Sequence, residues 1–120
     1  MAVEIGAKGL AEVNLTIPQS TSLTFTVVHK DDEGHVIDHS SSTADMAFQA
    51  KDKSQTYDLD SCCTCANDGI YVSIPATTTD DMPFGKMNWD LIVTQSNGQK
   101  TRLCFGNVTI VDSYALDESA

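Results

Sequence analysis

The feature that most constrains the fold of this chain is an alternation of apolar and polar residues with a period of two. In the segment EVNLTI the apolar positions are Val13, Leu15 and Ile17, and the segment SLTFTVVH continues the same pattern. Because successive side chains of a β-strand point to opposite sides, this alternation predicts strands with one buried face. The pattern recurs in GIYVSIP, KMNWDLIV and KTRLCFGNVTIV. No long segment favours a helix, and the sequence therefore predicts an all-β fold.

Turn signals separate these alternating runs. The segment KDDEG provides Gly34 for a charged turn, and the dipeptide Asn97-Gly98 is a strong hairpin signal between two runs. Gly106 interrupts the last run and indicates a bulge or a bend. This spacing of short runs and turns is typical of two packed sheets. We therefore expect an immunoglobulin-like antiparallel β-sandwich of about seven to nine short strands.

The connection ATTTDDMPFG lies between two predicted strands and lacks their alternation. Its polar start favours one helical turn capped by Thr79 or Asp80. We expect its two large apolar side chains, Met82 and Phe84, to fold inward. The only tryptophan, Trp89, lies in the run that follows, and we expect it at the centre of the core.

The length of the chain sets the number of domains. Its 120 residues suffice for one domain with a single core, and 41% hydrophobic residues are too many for a disordered protein. We expect residues 1–112 to form one β-sandwich and residues 113–120 to form an acidic C-terminal tail. Tyr114 and Leu116 would anchor this tail on a neighbouring surface, and a frayed terminus is the alternative.

The charge of the chain excludes two classes of partner. With a net charge of −10, the protein would repel DNA, RNA and anionic membrane surfaces. No apolar run approaches the roughly 20 residues of a membrane-spanning helix, and the opening MAVEIGAKGLAEV does not resemble a secretory signal. We therefore expect a protein that is made and folded in a cytoplasm, is not secreted, and keeps its thiols reduced.

Three of the four cysteines crowd into the stretch SCCTCANDG. Cys62 and Cys65 have the spacing of half a zinc site, which would need Cys104 and one histidine to complete it. A redox role for this pair would need a helix N-terminus, and a disulfide from Cys104 to a loop cysteine would need an oxidising environment. The favoured interpretation is a loop of small residues, including Cys63, together with a buried core thiol at Cys104.

A second cluster combines imidazoles and carboxylates around one predicted turn. Its members are His29, Asp31, Asp32, Glu33, His35, Asp38 and His39. These groups are possible ligands of a divalent cation, but their order matches neither a calcium loop nor a zinc-protease motif. The favoured interpretation is a solvated acidic turn, and we expect neither a metal nor a cofactor.

The sequence contains no pattern that predicts catalysis. A nucleophile elbow and a glycine-rich phosphate loop are both absent from the sequence. The paired aspartates at positions 31 and 80 lie in predicted exposed turns, where a raised pKa is not expected. We therefore predict no catalytic residues and no enzymatic activity.

The order of these features resembles a small β-sandwich domain of tailed bacteriophages. The relevant segments are LTIPQSTSLTFTVVHKDDEGHVID, DGIYVSIPATTTDDMPFG and MNWDLIVTQSNGQKTRLCFGNVTIV, with Ile17 and Phe25 at matching places. The resemblance extends over roughly residues 13–112 and is to the N-terminal domains of baseplate and tail-fibre proteins and to stand-alone virion proteins. The stretch SCCTCAND departs from this pattern, where an ordinary polar loop is expected.

The resemblance implies a non-enzymatic structural protein of the virion, in the tail, baseplate or neck or on the capsid surface. Its expected partners are other virion proteins and further copies of itself, without nucleic acid or membrane. The alternative is a module that binds host-surface carbohydrate through exposed aromatic side chains. Tyr57, Tyr71 and Tyr114 are the candidates, and this alternative would be supported if Tyr57 and Tyr71 shared an exposed face.

Overall fold

A computed structural model of the protein describes residues 2–112. Within that range it has ten strands, one turn of 3-10 helix (Asp60–Cys62) and one short α-helix, α1 (Ala76–Thr79). No helix there has the length and apolar character needed to cross a membrane. The predicted tail, with Tyr114 and Leu116, lies outside the described residues. The strands are β1 (Ala2–Ile5), β2 (Ala11–Glu12), β3 (Leu15–Pro18), β4 (Leu23–His29), β5 (Thr43–Ala50), β6 (Thr56–Asp58), β7 (Cys63–Ala66), β8 (Gly69–Ile74), β9 (Gly85–Thr94) and β10 (Lys100–Val111).

The strands form two sheets, which confirms the predicted all-β sandwich. The small sheet has the order β1-β4-β8-β7, and the large sheet has the order β2-β10-β9-β5-β6, with β3 also paired to β10. The described residues form ten strands where about seven to nine were expected, and both sheets are mixed rather than antiparallel as predicted. The parallel pairs are β1 with β4, β2 with β10 and β3 with β10. Between β1 and β4 the chain crosses to the large sheet and returns, so the two strands run in the same direction.

The core lies between the inner faces of the two sheets, and Trp89 lies in it as predicted. The Trp89 ring makes edge-to-face contacts with Phe25 of the small sheet, at 6.2 Å between centroids, and with Phe48 of β5, at 6.5 Å. Its Nε1–H donates a hydrogen bond of 2.8 Å to the Val13 carbonyl. The buried indole therefore joins both sheets without leaving a polar atom unpartnered.

The connection before β9 differs in part from the prediction. Met82 is buried as expected, but the Phe84 side chain is 58% exposed, so the prediction for Phe84 is wrong. Helix α1 begins after Pro75, and Thr79 and Asp80 stand at its C-terminal end rather than capping its start. The Thr79 hydroxyl instead donates to a backbone carbonyl of the β3–β4 turn. This hydrogen bond joins the buried threonine to the β3–β4 turn.

The irregularity in β10 lies three residues before the predicted position. The register of β10 against β9 shifts between Arg102 and Cys104, so Leu103 is the additional residue of a β-bulge. As a result Leu103 and Cys104 are both buried, although they are neighbours in sequence. Gly106 remains in register, and its role is close approach: a Cβ there would lie 2.3 Å from the Val13 carbonyl oxygen.

Candidate functional site

The cysteine-rich stretch is part of the small sheet. The prediction of a loop is wrong, because Cys63–Ala66 forms β7, which pairs antiparallel with β8. The Cys63 thiol lies 3.8 Å from the Met46 sulfur and packs against the core together with Cys62 and Cys65. All four cysteines are free thiols, and Cys104 is fully buried as predicted. Cysteine and β-branched threonine alternate here, and this pattern suits an edge strand.

The environment of these four thiols disfavours the reactive thiolate form. Burial raises the pKa of Cys63 to about 12 and that of Cys104 to about 12. Burial also raises the pKa of Cys62 and of Cys65. Metal binding and disulfide exchange both need the thiolate, which this environment disfavours. Among residues 2–112 no three cysteine, histidine or acidic side chains are arranged to hold a metal ion.

The predicted histidine cluster is divided in two by the structure. His35 is exposed in the acidic turn, with Nδ1 at 3.7 Å from the Asp31 carboxylate and 3.6 Å from the Glu33 carboxylate. His29 and His39 are buried, and we call these two residues the histidine pair. Their ring planes are nearly parallel, at 9° to each other, and their centroids are 5.1 Å apart. The solvated acidic turn thus accounts for only part of the cluster.

Hydrogen bonds define the proton positions of the histidine pair. His29 Nδ1 lies 2.9 Å from His39 Nε2, His29 Nε2 lies 3.0 Å from the Ala7 carbonyl oxygen, and His39 Nδ1 lies 2.8 Å from the Ser42 hydroxyl. Because a carbonyl only accepts, His29 Nε2 carries a proton and its Nδ1 accepts from His39 Nε2. His39 Nδ1 then accepts from Ser42. In this arrangement every ring nitrogen of the pair has a hydrogen-bond partner.

The histidine pair joins separate segments of the fold and does not have the geometry of a metal site. Two nitrogens at about 2.1 Å from a tetrahedral ion stand about 3.4 Å apart. The facing nitrogens of the pair are closer than that, and their separation is that of a hydrogen bond. Burial, followed by the nearby His29, lowers the pKa of His39. The pair joins the end of β4 to the β1–β2 and β4–β5 connections.

The two tyrosines proposed for carbohydrate binding do not share a face. Tyr57 lies on β6 of the large sheet, and its ring packs against the core. Tyr71 lies on β8 of the small sheet, is exposed, and donates its hydroxyl proton to Asp68. The condition set for these residues is therefore not met.

A polar site lies on the outer face of the large sheet. It is a shallow depression of about 420 Å³, which we call the outer trough. Neighbouring strands contribute to it in register, since Ala47 of β5 lies opposite Asp90 of β9, and Gln49 lies opposite Asn88. Its defining residues are Ala47, Gln49, Thr56, Asn88, Asp90, Arg102 and Phe105.

The bulge at Leu103 builds one wall of the outer trough. Residues three apart on a regular strand point to opposite faces, but the additional residue turns Arg102 and Phe105 to the same side. The Arg102 guanidinium carbon lies 4.6 Å from the centroid of the Phe105 ring. Its Nε also lies 3.3 Å from a carboxylate oxygen of Asp90. The arginine is thus held by an aromatic ring and by a carboxylate on the neighbouring strand.

Amide and hydroxyl groups form the opposite wall. Gln49 Nε2 donates to the Thr56 hydroxyl at 3.1 Å, and Lys51 Nζ donates to the Asn88 side-chain oxygen at 2.8 Å. Lys51 also donates to Asn107 on β10. These groups form a row across four strands of the sheet. The sequence analysis missed this surface, because the adjacent apolar residues Leu103 and Cys104 indicate a bulge only once both are known to be buried.

Comparison with known proteins identifies the fold. A scan against protein-family models finds no match, and a search of curated proteins finds none either. Among solved structures, the N-terminal domain of phage TP901-1 ORF48 is similar to this chain, with a TM-score of 0.54 and 10% sequence identity. The match covers 93% of this chain and 97% of that one. The two chains share a fold. The predicted resemblance to a phage β-sandwich domain is thereby confirmed at the level of the fold.

Proposed function

We propose that the protein is a non-enzymatic structural component of a phage particle that acts through protein–protein contacts. The observation that carries this proposal is the fold match, which extends over nearly the whole of both chains. A shared fold does not by itself specify an activity, so the proposed function depends on the surface features of the sandwich.

Two kinds of surface feature support assembly. Among the described residues, β1 and β7 are the outer strands of the small sheet, and outer strands can pair with a neighbouring chain. Large apolar side chains are also exposed, with Leu10 at 60% and Phe84 at 58%. Such side chains gain free energy when a partner covers them. The proposed partners are other virion proteins and further copies of this chain in the tail, baseplate, neck or capsid surface.

The decisive test is incorporation into particles. Phage particles from cells that carry the gene are banded in a density gradient, and their proteins are quantified by mass spectrometry. We expect the chain in the particle band at a fixed copy number relative to the other virion proteins. Recovery of the chain only from the soluble lysate, with none in the banded particles, would contradict the proposal.

Light scattering after size exclusion, at two protein concentrations, tests how assembly begins. A stable trimer or larger ring would indicate that the subunits associate before the particle forms. A monomer of 12.9 kDa at both concentrations would indicate that assembly requires the surface of another virion protein. These outcomes distinguish a homo-oligomer that forms in solution from a subunit that associates only on the particle.

A further inference from the structure

We propose that the outer trough is a binding site for a neutral saccharide. This inference is independent of a structural role in the virion, because it concerns one face of one sheet and the groups on it. It also differs from the tyrosine-based hypothesis, since neither Tyr57 nor Tyr71 belongs to the trough.

The charges in the trough favour a neutral ligand. Arg102 is the one cationic side chain among its defining residues, and Asp90 lies 3.3 Å from it. Lys51, at the border of the trough, donates to the side-chain oxygens of Asn88 and Asn107. The carboxylate offsets the positive charge, so an anion would gain little attraction from Arg102 and would meet repulsion from Asp90. A ligand with hydroxyl groups can instead donate to the carboxylate and accept from the guanidinium without bringing its own charge.

The uncharged groups of the trough can recognise several hydroxyls at once. Gln49, Thr56 and Asn88 carry both donors and acceptors, and they lie side by side because Gln49 is in register with both of the others. Neighbouring strands are about 4.8 Å apart, comparable to the distance between hydroxyls on opposite sides of a sugar ring. The row can therefore contact more than one hydroxyl of a single ring.

The trough also offers the apolar contacts that a sugar needs. Ala47 lies between Asp58 and Asp90 across the sheet, and its small side chain leaves room above the strand. The Phe105 ring, held beneath Arg102, adds an aromatic surface at one side. Sugar rings carry C–H groups as well as hydroxyls, so they match a surface that combines a methyl group, an aromatic ring and planar polar groups.

The size of the trough fits a small ligand. Its volume of about 420 Å³ falls within the usual range for ligand sites and accommodates one or two sugar rings. A shallow surface removes less of a ligand from water than a deep pocket does. We therefore expect a weak site, with a dissociation constant on the order of 1 mM, which repeated copies in a particle would strengthen through multivalency.

The test is a two-dimensional amide NMR titration of the whole chain with glucose, galactose, rhamnose and N-acetylglucosamine, each up to about 50 mM. Glycerol and inorganic phosphate serve as probes without a sugar ring. We expect saturable shifts with at least one sugar, centred on the amides of Gln49, Asn88, Asp90 and Phe105. Neither control probe should reproduce them.

Two variants make the result specific. Ala47→Leu fills the trough from the solvent side and should weaken sugar binding at least tenfold. Thr109→Val changes a residue of β10 that is in register with Lys86 and outside the trough, and it should leave the affinity unchanged. Both variants are checked for native amide spectra before titration, and a poorly folded Ala47→Leu protein would be replaced by Ala47→Val.

Several outcomes would overturn the inference. They are the absence of saturable shifts with every sugar, shifts located away from the trough, equal affinity in the Ala47→Leu variant, and binding of phosphate in place of sugars. Shifts at the trough that depend on protein concentration without any sugar would assign the surface to a second copy of the chain instead.

Discussion

The histidine pair and the outer trough are both clusters of polar side chains, but they differ in where their partners lie. In the histidine pair every ring nitrogen bonds to another protein atom, and both imidazoles are buried. In the trough the side chains of Arg102 and Asp90 are 45% and 36% exposed, although they contact each other. A buried, fully partnered cluster stabilises a fold, whereas an exposed one can exchange water for a ligand.

The sequence analysis singled out the residues of the histidine pair and did not identify the outer trough. Histidines near carboxylates indicate a possible metal site, and this interpretation depends on residue type alone. Whether such groups face solvent or each other is decided by tertiary packing, which the sequence pattern does not contain. Experiments that compare closed and open positions can therefore separate support of the fold from binding.

The largest expected difference concerns the thiols of Cys63 and Cys104. Burial raises the pKa of each to about 12 from an ordinary value of 9.0, so the thiolate fraction at a given pH falls about a thousandfold. We expect these two thiols to react slowly with a disulfide reagent in the native protein, while the partly exposed Cys62 and Cys65 react first.

A Cys62→Ser, Cys65→Ser double variant isolates the thiols of Cys63 and Cys104 for this measurement. Their rates are compared in native buffer and in urea, where all thiols are accessible. Equal rates under both conditions would show that β7 and the bulged strand β10 open readily. The core-facing side of β10 would then be accessible to the reagent.

The second prediction removes one member of the histidine pair. His39→Ala deletes a fully buried ring and leaves His29 Nδ1 and the Ser42 hydroxyl without their partner. We expect the free energy of unfolding to fall by about 2–4 kcal/mol, from the cavity and the unpaired polar groups together. The measurement is urea unfolding followed by tryptophan fluorescence.

The matched control is His35→Ala, in the same connection between β4 and β5. The His35 side chain is 74% exposed, and its contacts with Asp31 and Glu33 are longer than 3.5 Å. We expect its substitution to change the free energy of unfolding by less than about 0.5 kcal/mol. Similar losses in both variants would remove the distinction between the buried pair and the exposed turn.

The third prediction follows from the lowered pKa of His39. The unfolded chain takes up this proton near pH 6.5, whereas the folded protein does so only at a lower pH, because burial disfavours the imidazolium and His29 opposes it. The nearby Asp38 carboxylate raises the pKa of His39, but this effect does not outweigh burial. The stabilisation is therefore complete above pH 6.5 and is lost as the pH falls from 6.5 toward the folded pKa.

The expected slope in that window is at most about 1.4 kcal/mol per pH unit. Unfolding free energies measured between pH 7.5 and 5 for the wild type and for His39→Gln give this contribution directly. The variant should show a flatter dependence on pH. The lowered pKa values of the exposed carboxylates Asp31, Asp38 and Asp52 concern a more acidic range and do not interfere. Parallel curves for the two proteins would contradict the prediction.

The central strands were predictable because their side chains alternate over long runs. The residues of β9 that the sequence predicts to face the core, among them Trp89, Leu91 and Val93, are buried. The two edge segments β1 and β2 are too short to show a period, and their parallel pairing depends on where the chain crosses between sheets. Local sequence does not contain that information.

The open site was not predictable for a related reason. The trough requires Arg102 and Phe105 on the same face, and a regular strand would separate them. The sequence analysis predicted a bulge or bend at Gly106, because glycine is common at such positions. The additional residue of the bulge is instead Leu103. A buried leucine beside a buried cysteine was the available signal, and it is recognisable only if both are known to face the core.

The smallest expected effect concerns the ion pair in the outer trough. Arg102 and Asp90 form a partly exposed ion pair, and Arg102 also contacts the Phe105 ring. Exposed pairs contribute about 0–1 kcal/mol, because solvent screens the charges and two side chains lose freedom. A double-mutant cycle with Arg102→Gln, Asp90→Asn and the combined variant should give a coupling energy below about 1 kcal/mol, and added salt should reduce it. A coupling above about 2 kcal/mol that salt does not change would mean that the pair supports the fold as the histidines do. In that case the outer trough would be a closed element, and a ligand could not exchange for its internal contacts.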